Sequence, residues 1–103
     1  MLAAGVDEIF VILISDRRMA QLHRRFLGQA GPTDVITFEH GEILISVPMA
    51  RRNARRFGNS FLRELELYIV HGLLHLCGFD DSNERAALKM RAAEKRVLNA
   101  AIV

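Results

Sequence analysis

Residues 61–78 read FLRELELYIVHGLLHLCG, and no other segment limits the fold so strongly. Leu62, Leu65, Leu67, Tyr68, Ile69, Val70, Leu73, Leu74 and Leu76 cover most of a helix's circumference. A helix that is apolar on nearly every side must be packed on nearly every side, so it belongs in the middle of its domain. Ser60 is placed to cap it and Gly78 to stop it. With 103 residues, the chain is expected to form a single domain with one core over 1–103.

The rest of the chain supplies what must surround that helix. EIFVILISD, residues 8–16, is a short run rich in Ile and Val, bounded by acids, and reads as a buried strand. Ser15 or Asp16 can cap a helix through RRMAQLHRRFLG, with Met19, Leu22, Phe26 and His23 as its inward stripe and Gly28 as its end. Gly31–Pro32 marks a turn. DVITFEH and EILISV alternate with period two around Gly41 and read as an antiparallel hairpin. Pro48 opens a helix that stops at Gly58. A last helix is expected from about Asn83 to Ala100, with Leu88, Met90, Val97 and Leu98 facing inward. The order β-α-β-β-α-α-α predicts an α+β or mixed α/β fold, a small central sheet packed by helices.

Several function classes drop out. No apolar run reaches the length of a membrane span. The start, MLAAGVDEIF, lacks the basic segment of a secretory signal, so the expected location is cytoplasmic. Cys77 is the only cysteine, which excludes an intrachain disulfide. It is expected to be a small buried hydrophobe, and two residues from His75 on a helix it faces elsewhere. The net charge is only +2, but twelve of the fourteen cations are arginine, whose planar fork suits phosphate. The arginines pair as Arg17–Arg18, Arg24–Arg25, Arg51–Arg52 and Arg55–Arg56. A solvated helix face accounts for each pair alone. The cluster RRNARR fits a nucleic-acid contact equally well.

The segment HGLLHLCGFDD, 71–81, carries the chemistry. His71 and His75 lie four apart on one helix, about 5–6 Å between Cβ atoms, so both imidazoles can reach one ion. A straight helix carries the chain away from such an ion. Gly78 can adopt the left-handed conformation cheaply, turning the chain so that Asp81 can return as a third ligand. Asp81 also fits a capping box with Glu84, DSNE, and both readings stand. Asp80 is one position off and should point elsewhere. Glu64 lies about two turns before His71, too far to be a ligand; it can line the same groove or favour the helix start. Gly72 stands where a zinc peptidase carries its glutamate base, which argues against peptidase chemistry. No side chain is then expected to act as catalyst beyond a metal-bound water, whose pKa the ion lowers. Zinc is the expected ion, although two histidines and a carboxylate also resemble the triad of non-haem iron enzymes.

Taken together, PTDVITF (32–38), GEILIS (41–46), Glu64 seven residues before His71, HGLLHLCGFDD, and Met90 with Glu94 resemble the YbeY family of bacterial endoribonucleases, over about Glu8 to Leu98. The resemblance implies a metal site of H-x-x-x-H-x-x-G-x-x-H form, usually zinc, on a zincin-like helix in the middle of the fold. It implies cleavage of single-stranded RNA in maturation of the small-subunit ribosomal RNA and in ribosome quality control. The implied partners are ribosomal RNA and the small ribosomal subunit. His71 and His75 match the pattern, and Asp81 stands at the third histidine's place. Leu27 replaces an arginine implicated in the family's activity, so Arg24, Arg25, Arg51 or Arg55 would have to hold RNA instead. The family's preceding helix and strand have no counterpart ahead of EIFVILISD, so either the sheet lacks an edge or the gene start is truncated. The competing reading is a ribosome- or RNA-binding assembly factor whose metal is structural.

Overall fold

The computed structural model describes residues 8–28 and 33–101; the expected Gly31–Pro32 turn and the Leu27 side chain lie outside the described residues. The elements follow the expected order: β1 (Phe10–Ile14), α1 (Asp16–Leu27), β2 (Val35–Thr37), β3 (Glu42–Ser46), α2 (Val47–Phe57), α3 (Phe61–Leu76) and α4 (Glu84–Ala101). The strands form one mixed sheet in the order β1-β3-β2. β2 and β3 make the antiparallel hairpin, with Val35 opposite Ile45 and Thr37 opposite Ile43. β1 runs parallel to β3, from Phe10 beside Glu42 to Ile14 beside Ser46. The hairpin closes where the Gly41 N–H donates to the Phe38 carbonyl, with Gly41 at φ 115°.

The period of two sorts β3 between two layers. Leu44 packs with Ile36, Met19 and Leu22 beneath α1. Ile43 and Ile45 point the other way, into a cluster with Ala50 of α2 and Tyr68 and Leu76 of α3. Behind α3, Val70 and Leu74 meet Met90, Ala93 and Leu98 of α4. α3 is therefore enclosed by the sheet, α2 and α4, as its all-round apolar sequence requires. Its close approach to the sheet depends on Gly72: a Cβ there would lie 2.9–3.0 Å from the Ile43 side chain.

Caps fix the helix limits. Ser15, Ser46 and Ser60 accept from the backbone N–H three residues on, at Arg18, Met49 and Arg63. The Ser46 hydroxyl also donates to Asp16 at 2.7 Å, and Arg52 donates to the same carboxylate at 2.8 Å. These bonds hold the Asp16 carboxyl below its usual range, the Ser46 bond contributing most. A part-buried polar ladder joins α2 and the loop after it to α3: Asn59 donates to Glu64 at 2.8 Å and Asn53 to the Tyr68 oxygen at 2.7 Å. Burial, reinforced by a hydrogen bond to Glu64, pushes the Tyr68 phenol well above its usual range. Glu64, 2% exposed, thus belongs to this ladder in the first turn of α3, the second of its two expected places, and does not line the groove.

Other expectations fail for identifiable reasons. β1 is not buried: Phe10, Val11, Ile12 and Leu13 are all exposed, because β1 forms the sheet's edge and its pairing among the described residues is to β3 alone. Phe26 is exposed, since Met19, Leu22 and His23 suffice to cover that face. On α4, Leu88 and Val97 are exposed while Ala93 is buried, which rotates the inward stripe to Met90, Ala93 and Leu98. Cys77 is exposed, because the helix ends there and turns its last residue outward.

Candidate metal centre

His71 and His75 sit on the last two turns of α3, both half-buried. Their Nε2 atoms are 3.1 Å apart and their rings are nearly perpendicular, at 80°. The helix then ends in a Schellman motif: the Gly78 N–H donates to the His75 carbonyl and the Phe79 N–H to the Leu74 carbonyl, each at 3.0 Å. Gly78 takes φ 99°, the left-handed region that favours glycine. Phe79 packs onto the α3–α4 cluster, and the chain reverses. Asp81 arrives with Oδ2 3.7 Å from His71 Nε2.

The competing role for Asp81 goes to another residue. Asn83 caps α4, its Oδ1 accepting from the Ala86 N–H at 2.8 Å, so the expected capping box does not form at Asp81. Asp80 is engaged locally. It accepts from the Ser82 backbone at 3.2 Å and hydroxyl at 2.9 Å, and these bonds lower its pKa. Asp81 is left exposed, facing the histidines.

Glu94 contributes a contact that spacing alone did not reveal. Its Oε1 lies 3.1 Å from His71 Nδ1. A carboxylate there suits an Nδ1–H donor, the tautomer that would leave Nε2 with a lone pair for an ion. That lone pair faces His75 and the Asp81 carboxylate. Three electron-rich atoms within 4.8 Å of one another call for a positive charge among them. Two of the separations, 3.1 Å between the histidine Nε2 atoms and 3.7 Å from His71 to Asp81, bracket the about 3.3 Å between donor atoms of a tetrahedral zinc site with bonds near 2.0–2.1 Å. The residues present therefore fit the ion. One signal for Glu94 was available in the sequence, a carboxylate four residues after Met90 on the inward side of the last helix.

The cluster opens on a cleft of about 320 Å³ between β2 and α3, with Val35, Thr37 and Glu39 on one wall and His71, His75 and Leu76 on the other. The candidate phosphate-binding arginines are not in this wall. Arg24 and Arg25 border an open hollow on α1 with Arg17. Arg51 and Arg55 border another on α2, where the Arg51 guanidinium lies 5.1 Å from the Phe61 ring centroid. Arg52, between them in sequence, is bound to Asp16. Among the described residues, no helix is long and apolar enough to cross a membrane.

The chain is similar to known proteins of one family. The profile of the family described as Endoribonuclease YbeY matches residues 2–101. A protein of that name from Halalkalibacterium halodurans is 34% identical, the match covering 96% of this chain and 75% of the relative. Another, from Gloeobacter violaceus, is 37% identical, covering 93% and 58%. A solution structure of a Thermotoga maritima protein superposes with a TM-score of 0.60 at 34% identity, covering 93% of this chain and 73% of that one. A profile match over nearly the whole chain, with relatives this similar, places the protein in the endoribonuclease YbeY family.

Proposed function

We propose that this chain is a metal-dependent endoribonuclease that cuts single-stranded RNA, and that His71, His75 and Asp81 hold its ion, zinc. The observation that carries the reading is the convergence of three ligand atoms at the mouth of an open cleft, with His71 oriented from behind by Glu94. When bound, such an ion polarises a phosphate oxygen and acidifies water. The chain's own residues do the rest. Glu94 fixes the His71 tautomer. The Gly78 turn delivers Asp81. The walls formed by β2 and α3 confine the substrate beside the ligands. Gly72 offers no base, which sets this site apart from a peptidase. Arg24, Arg25, Arg51 and Arg55 are the residues proposed to hold the RNA backbone, a contact that weakens steeply with salt. The substrate proposed is ribosomal RNA of the small subunit during its maturation, in the cytoplasm.

His75→Ala tests the reading. Elemental analysis should show the metal lost, and cleavage of a single-stranded oligoribonucleotide should vanish with it. Equal cleavage by the variant, with contaminating nuclease excluded, would falsify the proposal. Metal retained by a wild-type protein that never cleaves RNA would favour an assembly factor with a structural ion.

A further inference from the structure

A row of rings leaves the cleft at the end of β2. Phe38 and His40 are stacked, with centroids 5.7 Å apart and planes at 16°. Phe26, from the last turn of α1, meets Phe38 edge to face at 5.5 Å and 81°. The Arg25 guanidinium lies 5.6 Å from the Phe26 centroid. Phe26 is 55% exposed, and the His40 side chain 67%. Of the three rings only Phe38 packs against the core.

This row adjoins the candidate centre through the chain itself. Thr37 and Glu39 stand in the cleft wall with His71 and His75. Phe38 and His40 alternate with them along residues 37–40. Residues 39 and 40 lie in the turn that Gly41 closes, and Phe38 packs in the layer beneath α1, so the rings begin one residue along the chain from the cleft, around the β2 edge of the sheet. A strand that leaves the cleft over that edge would meet them. The charge is basic on the α1 side, where Arg24 and Arg25 form the last turn beside Phe26, while the Glu42 carboxylate engages the His40 ring nitrogen.

We infer that Phe26, Phe38 and His40 form a stacking platform for an unpaired nucleobase of the RNA strand running through the cleft, with Arg25 on the adjoining phosphate. The inference rests on the nuclease reading and adds a base subsite to it. Every base has a π-face, so such a platform tolerates any sequence. A duplex hides those faces inside its own stack, so the platform selects single strands.

The protein contains no tryptophan, so Phe26→Trp introduces its only indole. A short single-stranded oligoribonucleotide, blocked against cleavage by 2′-O-methyl groups, should quench that fluorescence. A duplex of the same sequence and an abasic ribose-phosphate oligomer should not. Phe26→Ala and His40→Ala should each bind the blocked strand about tenfold more weakly, with metal content unchanged by elemental analysis. Quenching by the abasic oligomer as strong as by the intact strand would overturn the platform, as would wild-type affinity in both alanine variants. If the wild type cleaves RNA while these variants bind normally, the platform alone is wrong. If the wild type neither binds nor cleaves the strand, the nuclease reading falls and the platform with it.

Discussion

Glu94 on α4 lies 3.1 Å from the His71 Nδ1 on α3, so the last helix holds the imidazole from the side opposite the cleft. A carboxylate in that position fixes which ring nitrogen faces an ion and raises its basicity. Glu94→Ala should lower metal affinity about 10–100-fold, and Glu94→Gln, which keeps an acceptor oxygen, should fall between. Competition against a chromophoric chelator measures this directly. Wild-type affinity in the alanine variant would mean that His71 needs no orientation from α4.

Asp81 and Asn83 are two residues apart, and their roles should separate cleanly. Asn83→Ala removes the α4 cap and should cost about 1 kcal/mol of stability while leaving metal content intact. Asp81→Ala should do the reverse, lowering metal occupancy with little change in the stability of the metal-free protein. Urea denaturation in chelator, beside elemental analysis, reads both. Unchanged metal in Asp81→Ala would remove it from the ligand set.

Gly72 is set against β3, where a Cβ would press on Ile43 at 2.9–3.0 Å. Alanine favours a helix by about 0.5–1 kcal/mol over glycine, but overpacking a core costs about 1–3 kcal/mol. Gly72→Ala should therefore lose about 1 kcal/mol net. Ile43→Val, which removes Cδ1, should offset part of that loss in the double variant, so a double-mutant cycle in urea should give a favourable coupling. Strict additivity would contradict the contact.

Asp16 accepts from Ser46 and Arg52, which lower its pKa from 3.8. A carboxyl whose folded pKa is depressed adds stability above its unfolded value, and that stability is lost as pH falls through the folded pKa. Asp16→Asn should accordingly be less stable than wild type at pH 7 by about 1 kcal/mol. The gap should shrink below about pH 3.8. Urea midpoints at neutral and acid pH give the comparison; a gap that persists undiminished in acid would show that ionisation of Asp16 is irrelevant.

Much of the architecture could be read from the residues because each local signal had one meaning. The all-round apolar run of α3 demanded a central helix, and Ser15, Pro48 and Ser60 marked the starts of α1, α2 and α3. The pairing of β1 was not legible. Nothing in FVILI distinguishes a central strand from an edge, since burial there depends on which strands lie alongside. The candidate site divides in the same way. His71 and His75 follow from helical spacing, which is purely local. Asp80, Asp81 and Asn83 can each cap a helix, and the choice falls to Asn83 only after the Schellman turn has set the chain's new direction. The Glu94 contact depends on how α4 is rotated against α3, and its exposed Leu88 and Val97 show that the rotation differs from the one the apolar residues suggested.

The glycine between the two histidines sets a clearance. β2 lies next to β3 in the sheet, and β3 is where α3 touches down at Gly72. The gap between the wall carrying Thr37 and Glu39 and the wall carrying His71 and His75 is thus fixed by a side chain that is a single hydrogen atom. A methyl there would lift the helix and widen the slot at its working end. The absence of a glutamate removes one catalytic group, but it also lets the histidine-bearing helix lie close against the sheet.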